Sequence, residues 1–155
     1  MNREIILKPI AFVKNNQKEK SDNNWSEIIS EIKLTDNLPI ECLDGIETFS
    51  HLEIIYFLDK SNKTITGSEH PRENPNFPKV GIFAQRKKDR PNHIGLTIVN
   101  LIKKEGRKLI VSNLDAIDGT PILDIKPVFK EYLPKGEIKQ PDWTIKLMKN
   151  YWKIE

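Results

Sequence analysis

Residues 94–114 read Ile-Gly-Leu-Thr-Ile-Val-Asn-Leu-Ile-Lys-Lys-Glu-Gly-Arg-Lys-Leu-Ile-Val-Ser-Asn-Leu. Two aliphatic, β-branched runs flank a charged insert, Lys103–Lys108, and Gly106 inside it can take positive φ without a Cβ penalty. The stretch reads as a β-hairpin. Runs of the same kind recur outward from it, at Ile5–Leu7, Ile10–Val13, Leu52–Leu58, Val80–Ala84 and Ile122–Ile125. Ten prolines and seven glycines fall mostly between them. Many short strands punctuated by turns predict an all-β barrel or sandwich. The longest irregular stretch, Asn62–Lys79, carries Pro71, Pro75 and Pro78 and reads as a surface loop.

Two segments depart from the strand pattern. Trp25, Ile28, Ile29 and Ile32 recur at helical spacing behind a possible N-cap, Asn24. Ile28, Ile32 and Leu34 fit one face of a strand equally well, so both readings stand. Near the C-terminus, Pro141 and Asp142 open a predicted helix. It carries Trp143, Leu147, Met148, Tyr151 and Trp152 on one face, a stripe that reads as core packing.

The chain has 155 residues, the size of one domain, and can bury about 70% of its unfolded surface without disulfides or metal. No apolar run approaches the roughly 20 residues of a membrane span. Met1–Pro9 carries Arg3, Glu4 and Lys8, which is incompatible with a signal peptide's apolar core. A single cysteine, Cys42, excludes an internal disulfide and any Cys-x-x-Cys pair. His51, His70 and His93 are scattered, so no metal is expected, and the expected compartment is the cytoplasm. The net charge of +3 is unevenly spread. Between Asn15 and Asn62 ten acids face four bases, whereas between Lys79 and Lys108 nine bases face two acids. Such a basic stretch suits an anionic partner such as RNA, although a solvated face has the same composition.

Three stretches look unlike scaffold: Leu43–Leu52, Gly81–Leu96 and Asn113–Pro127. In the second, Arg86 and Arg90 flank a loop, and an arginine fork suits a carboxylate, a phosphate or a base. The third carries Asp115, Asp118 and Asp124. Each has a plainer reading. Asp118-Gly119-Thr120-Pro121 is turn composition, Asp115 can cap that turn, and Asp124 beside Lys126 suits a salt bridge. Ser50 and His51, adjacent on a strand, point to opposite faces and make a poor nucleophile–base pair. Neither a glycine-rich phosphate loop nor a Gly-x-Ser-x-Gly elbow is present.

In combination these motifs are distinctive. Leu43–Leu52, the Arg-Pro-Asn-x-Ile-Gly core of Gly81–Leu96, and Leu-Asp-x-x-Asp-Gly-Thr-Pro-x-Leu-Asp-Ile-Lys-Pro over Leu114–Pro127 closely resemble the TsaA-like family, the TrmO type of tRNA N6-adenosine methyltransferase. The resemblance runs from about Ile5 to Pro134. It implies a mostly β architecture, with a single small β-barrel over residues 1–134; the residues that follow, 135–155, read as a helical tail. It implies S-adenosyl-L-methionine as cofactor, a homodimer with the cofactor near the subunit interface, and methyl transfer to N6 of threonylcarbamoyladenosine beside a tRNA anticodon. Cofactor contacts carry over to His51, Leu52, Arg86, Leu96, Asp115, Ala116, Ile117 and Asp118. Arg90, Asn92, Lys87 and Lys88 are the candidates for RNA, and Asp124 and His51 are the candidate bases. The family pattern has proline at the position of His93, an aromatic at that of Val128, and a Pro-Arg-Gln segment that residues 15–24 lack. The classical tRNA enzymes carry a further C-terminal domain. Two alternatives therefore accompany the reading: the same cofactor with a small-molecule or other RNA acceptor, and a non-catalytic module that binds S-adenosylmethionine or RNA.

Overall fold

The computed structural model describes residues 3–152. Six antiparallel strands close into a barrel in the order β1-β2-β7-β6-β3-β8. They are β1 (Ala11–Lys14), β2 (Ile29–Leu34), β3 (His51–Phe57), β6 (Ile94–Glu105), β7 (Lys108–Ser112) and β8 (Pro121–Pro127). Two residue pairs, β4 (Ser68–Glu69) and β5 (Val80–Gly81), form a small separate ribbon, and one helix, α1 (Asp142–Met148), follows the barrel.

The hairpin expected over 94–114 is present as β6 and β7, paired through Glu105↔Lys108 around Gly106 at φ 56. Period-2 alternation supplies the core. Leu52, Ile54 and Tyr56 of β3, Val99 of β6, Leu109 and Val111 of β7, and Ile122 of β8 point inward and are buried. A closed barrel leaves no open edge, so each strand needs only one apolar face.

Between Trp25 and Leu34 the strand reading holds. A short 3-10 turn (Trp25–Glu27) precedes β2, whose Ser30, Ile32 and Leu34 face inward. The deciding factor is tertiary, because β1 and β7 pair with both sides of this segment and ladder hydrogen bonds outweigh local helical spacing. Val80–Ala84 splits into β5 and a 3-10 turn that buries Ile82. Ile5–Leu7 forms no strand and is exposed.

The barrel seam joins β1 to β8 through Ala11↔Ile122 and Phe12↔Pro121. Backbone bonds from Ile10 N to Ile122 O (2.8 Å) and from Val13 N to Thr120 O (3.0 Å) extend it. The loop over 62–79 is mostly surface, but it includes β4 and a 3-10 turn (Pro71–Glu73) that buries Pro71, and polar groups at its start hold it. Asp89, buried, accepts from Ser61 Oγ at 2.5 Å. His93 Nε2 meets Lys63 O at 2.9 Å. Helix α1 starts where Pro141 and Asp142 indicate, but its stripe does not join the barrel core. The residues after it return to the barrel mouth, where the N–H groups of Asn24 and Trp25 donate to Asn150 O and Tyr151 O, both at 3.0 Å.

Candidate functional site

At one end of the barrel, β3, β6 and the turn after β7 converge on Asp115. Leu114 and Ala116 are buried on either side of it, so the intervening carboxylate faces outward into a cavity. Asn113, at φ 63, starts the reversal that makes this possible. Tyr56 and Gly95 are register partners on β3 and β6. Tyr56 donates through Oη to Asp115 Oδ1 at 2.9 Å, Thr97 donates to the same oxygen, and Tyr151 donates to Oδ2. Burial pushes the Tyr56 and Tyr151 phenols above the ordinary tyrosine value, and the neighbouring Asp115 charge adds to it. Both remain protonated and serve as donors.

The Asp-x-x-Asp turn divides its labour. Asp118 is turned away from the cavity and locks the turn to β1: Oδ1 accepts from Asn15 N at 3.0 Å, and Oδ2 meets Lys18 at 2.5 Å. Those two donors, the Lys18 ammonium first, hold its carboxyl below the usual carboxylate range. Asn15 is itself buried, and its Nδ2 donates to Ser30 Oγ and Ala116 O, both at 2.9 Å. The turn cap expected of Asp115 is thus made by Asp118, and Asp115 takes side-chain hydroxyls instead.

The basic loop after β5 forms the opposite wall. Arg86 reaches across it, donating through Nη2 to Leu96 O at 2.6 Å. Arg90 is spent on loop shape, with Nη1 on Gln85 O at 3.0 Å. Lys87 pairs with Glu69, and Lys88 pairs with the buried Asp89 at 3.0 Å.

These walls border an open cavity of about 1510 Å³. Arg86, Leu96, Asp115, Ala116 and Ile117 line it, as do the RNA candidates Lys87, Lys88 and Arg90. Other expected residues lie elsewhere. Leu52 is buried in the barrel core. His51 is exposed at the start of β3, and Asn92 is exposed in the loop before β6. Asp124 pairs with Lys126 at 2.9 Å, the salt bridge its spacing implies. Ser50 and His51 do meet, Oγ to Nδ1 at 2.7 Å, because Ser50 precedes the strand and escapes its alternation. Among the described residues no group of three His, Cys, Asp or Glu side chains is arranged to hold a metal, and no helix is long and apolar enough to cross a membrane.

Sequence reasoning missed Tyr56, Thr97 and Tyr151, the hydroxyls around Asp115. Tyr56 and Thr97 carry a weak signal, since each is a polar atom on an inward strand position. Tyr151 carries none that separates it from its apolar stripe.

Residues 11–133 match the tRNA-methyltransferase O N-terminal domain family. The chain belongs to the TrmO N-terminal domain family. A relative from Homo sapiens named tRNA (adenine(37)-N6)-methyltransferase is 37% identical over 114 residues, covering 74% of this chain but 26% of that protein. An Archaeoglobus fulgidus S-adenosyl-L-methionine-binding protein is 36% identical over 126 residues, covering 79% of this chain and 88% of that one. The crystal structure of TrmO from P. aeruginosa superposes with a TM-score of 0.75 at 23% identity, over 92% of this chain and 63% of that one. The last likeness concerns the fold. This TrmO-family chain therefore spans about a quarter of the human methyltransferase and most of the archaeal cofactor-binding protein.

Proposed function

We propose that this TrmO-family chain binds S-adenosyl-L-methionine in the Asp115 cavity and transfers its methyl group to N6 of a threonylcarbamoyl-modified adenosine beside a tRNA anticodon, as a cytoplasmic homodimer. One observation carries the reading. Two motifs separated in sequence deliver Arg86, Leu96 and Asp115–Ile117 to the same cavity, with Lys87 and Lys88 on its wall. At about 1510 Å³ it exceeds the 300–1,000 Å³ usual for a single small ligand, leaving room for a nucleoside beside the cofactor.

The donor set suits the cofactor. The Arg86 guanidinium matches an amino-acid carboxylate, and the Asp115 carboxylate matches an ammonium or a hydroxyl. Leu96 and Ile98 offer apolar cover for a base. The cofactor itself supplies a methyl group activated on a sulfonium. The chain's contribution is to align donor and acceptor and to keep water out, which for an in-line displacement supplies most of what is needed. Ile94, Leu96 and Ile98, each 38–46% exposed on the outward face of β6, line the cavity, so a second copy seated there would cover this face and the cofactor together.

The test is incubation with methyl-labelled cofactor and bulk tRNA, followed by nucleoside analysis. Label in an N6-methylated threonylcarbamoyladenosine is expected. Cofactor binding without label in RNA turns the assignment to the second reading, a cofactor-binding module or an enzyme with a small-molecule acceptor. The match to 88% of the Archaeoglobus fulgidus S-adenosyl-L-methionine-binding protein supports that alternative.

A further inference from the structure

The lining residues assigned to the cofactor, Arg86, Leu96 and Asp115–Ile117, all lie within the family-matched residues 11–133. A second set, Leu147, Met148 and Trp152, lies beyond them, on the chain that follows the barrel, and lines the same cavity. An apolar stripe on a helix ordinarily joins a core. These three side chains are half-buried and outside the barrel core. The segment that carries them is held from elsewhere. Asn24 N donates to Asn150 O and Trp25 N to Tyr151 O, both at 3.0 Å, and the Trp143 ring stands 6.4 Å from that of Phe77. Trp152 is thereby set edge-on to the Tyr151 ring, with centroids 5.0 Å apart.

The stretch that clamps this segment also gathers positive charge. Trp25 Nε1 donates to Ser21 O at 3.0 Å, and next to Ser21 the Lys20 ammonium donates to Lys60 O at 2.6 Å. Arg72 reaches Asp22 at 3.7 Å, Lys60 reaches Asp59 at 3.6 Å and Lys63 reaches Glu73 at 3.5 Å. All of these cations line the cavity. Ion pairs that long and that open to solvent contribute little, so a phosphate can take over their cations at small cost. An indole on an apolar wall, beside loosely paired cations, matches single-stranded nucleic acid. A base stacks on the ring, and the backbone runs along the positive charge.

We propose that Trp152 is the residue on which a base of the acceptor RNA stacks, with the phosphates beside it drawn to Lys20, Lys60 and Arg72. The proposal rests on the reading that the chain acts on tRNA, and it names the part of the cavity that takes the nucleic acid.

Titration of the full chain with bulk tRNA tests it, with S-adenosylhomocysteine as the non-reacting cofactor probe. Trp152→Ala should weaken tRNA binding by roughly five- to a hundredfold, the range for one stacked base. S-adenosylhomocysteine affinity should stay within about twofold. The salt slope of tRNA binding should not change, because no phosphate contact is removed. Trp152→Phe keeps an aromatic face and should recover most of the tRNA affinity. Tryptophan fluorescence gives a separate readout. tRNA should quench it in the parent, and most of that quenching should vanish in Trp152→Phe although this variant still binds. Equal weakening of tRNA and S-adenosylhomocysteine by Trp152→Ala overturns the proposal, and so does an altered salt slope. Quenching that persists in Trp152→Phe overturns it as well, and this measurement decides alone if Trp152→Ala does not fold. A parent that binds S-adenosylhomocysteine but no tRNA overturns the tRNA reading, and the proposal falls with it. A parent that binds tRNA with an affinity indifferent to Trp152→Ala overturns only the role of Trp152.

Discussion

The ring of Tyr56 occupies the space that a side chain at Gly95 would need: a Cβ built there would stand 2.3 Å from Cε2 and 2.4 Å from Cζ. The glycine of the Arg-Pro-Asn-x-Ile-Gly motif is thus explained by a neighbour rather than by its own backbone. Its absent side chain lets the phenol cross the β3–β6 pair and reach Asp115.

Gly95→Ala should therefore destabilise the fold by overpacking, by about 1–3 kcal/mol. For a domain of this size that lowers Tm by roughly 2–12 °C, readable in a thermal melt. Because Tyr56 must move to make room, S-adenosylmethionine affinity should drop in the same variant. An unchanged Tm would mean that the ring has an alternative position at no cost.

Arg86→Ala should reduce cofactor affinity by roughly ten- to a hundredfold, the cost of one charged hydrogen bond. The lysines beside it are expected to act differently. Lys87 is paired with Glu69, and its side chain is only 15% exposed, whereas Lys88 is 39% exposed against Asp89. Replacing both with alanine should lower the salt slope of RNA binding by about one phosphate's worth rather than two, roughly 0.7 on single-stranded RNA. An unchanged slope would make the basic stretch a solvated face and favour a small-molecule acceptor.

Asp118 gives the acid sensitivity a definite sign. Its native carboxyl is held below the unfolded value of about 3.9 by Lys18 and by the Asn15 N–H. The stability this provides is fully present above that value and is lost as pH falls through it toward the native pKa. Asp118→Asn should lower Tm at pH 7, and the gap to the parent should shrink as pH falls below the unfolded carboxyl value. A gap that stays constant with pH would show that Asp118 acts through shape alone.

Light scattering should give twice the 18.0 kDa chain mass at micromolar concentration. Ile98→Glu, placing a charge on the outward face of β6 where Ile98 is 46% exposed and lines the cavity, should return the monomer mass and weaken cofactor binding with it. A parent that already runs at 18.0 kDa with and without cofactor rules out the dimer.

The sequence made the barrel's most local parts legible. Residues 94–114 form a hairpin because both runs alternate and Gly106 suits the turn, and neither property needs a partner from elsewhere. Residues 25–34 were ambiguous for a physical reason, since Ile28 and Ile32 satisfy both periods and only β1 and β7, brought in from distant sequence, decide between them. The site was half legible. Arg86 and Asp115 stand inside recognisable motifs, but the hydroxyls that set the properties of Asp115 come from three separate segments. Tyr151 was hidden most completely, because an aromatic within an apolar stripe looks like core until Asn150 and Tyr151 are seen bonded to the backbone of Asn24 and Trp25.

The seam between β1 and β8 bears on how the chain is made. The β6–β7 hairpin can close within microseconds of its own residues being available. Ala11 and Val13 have no such option on one side, since their partner strand, Pro121–Pro127, comes late in the chain, and the entropy of joining distant segments must be met before that pairing stabilises anything. During ribosomal synthesis β1 therefore emerges early and waits, its inward-facing aliphatic residues and its β8-facing edge uncovered, until the Asp115 turn and β8 leave the exit tunnel together.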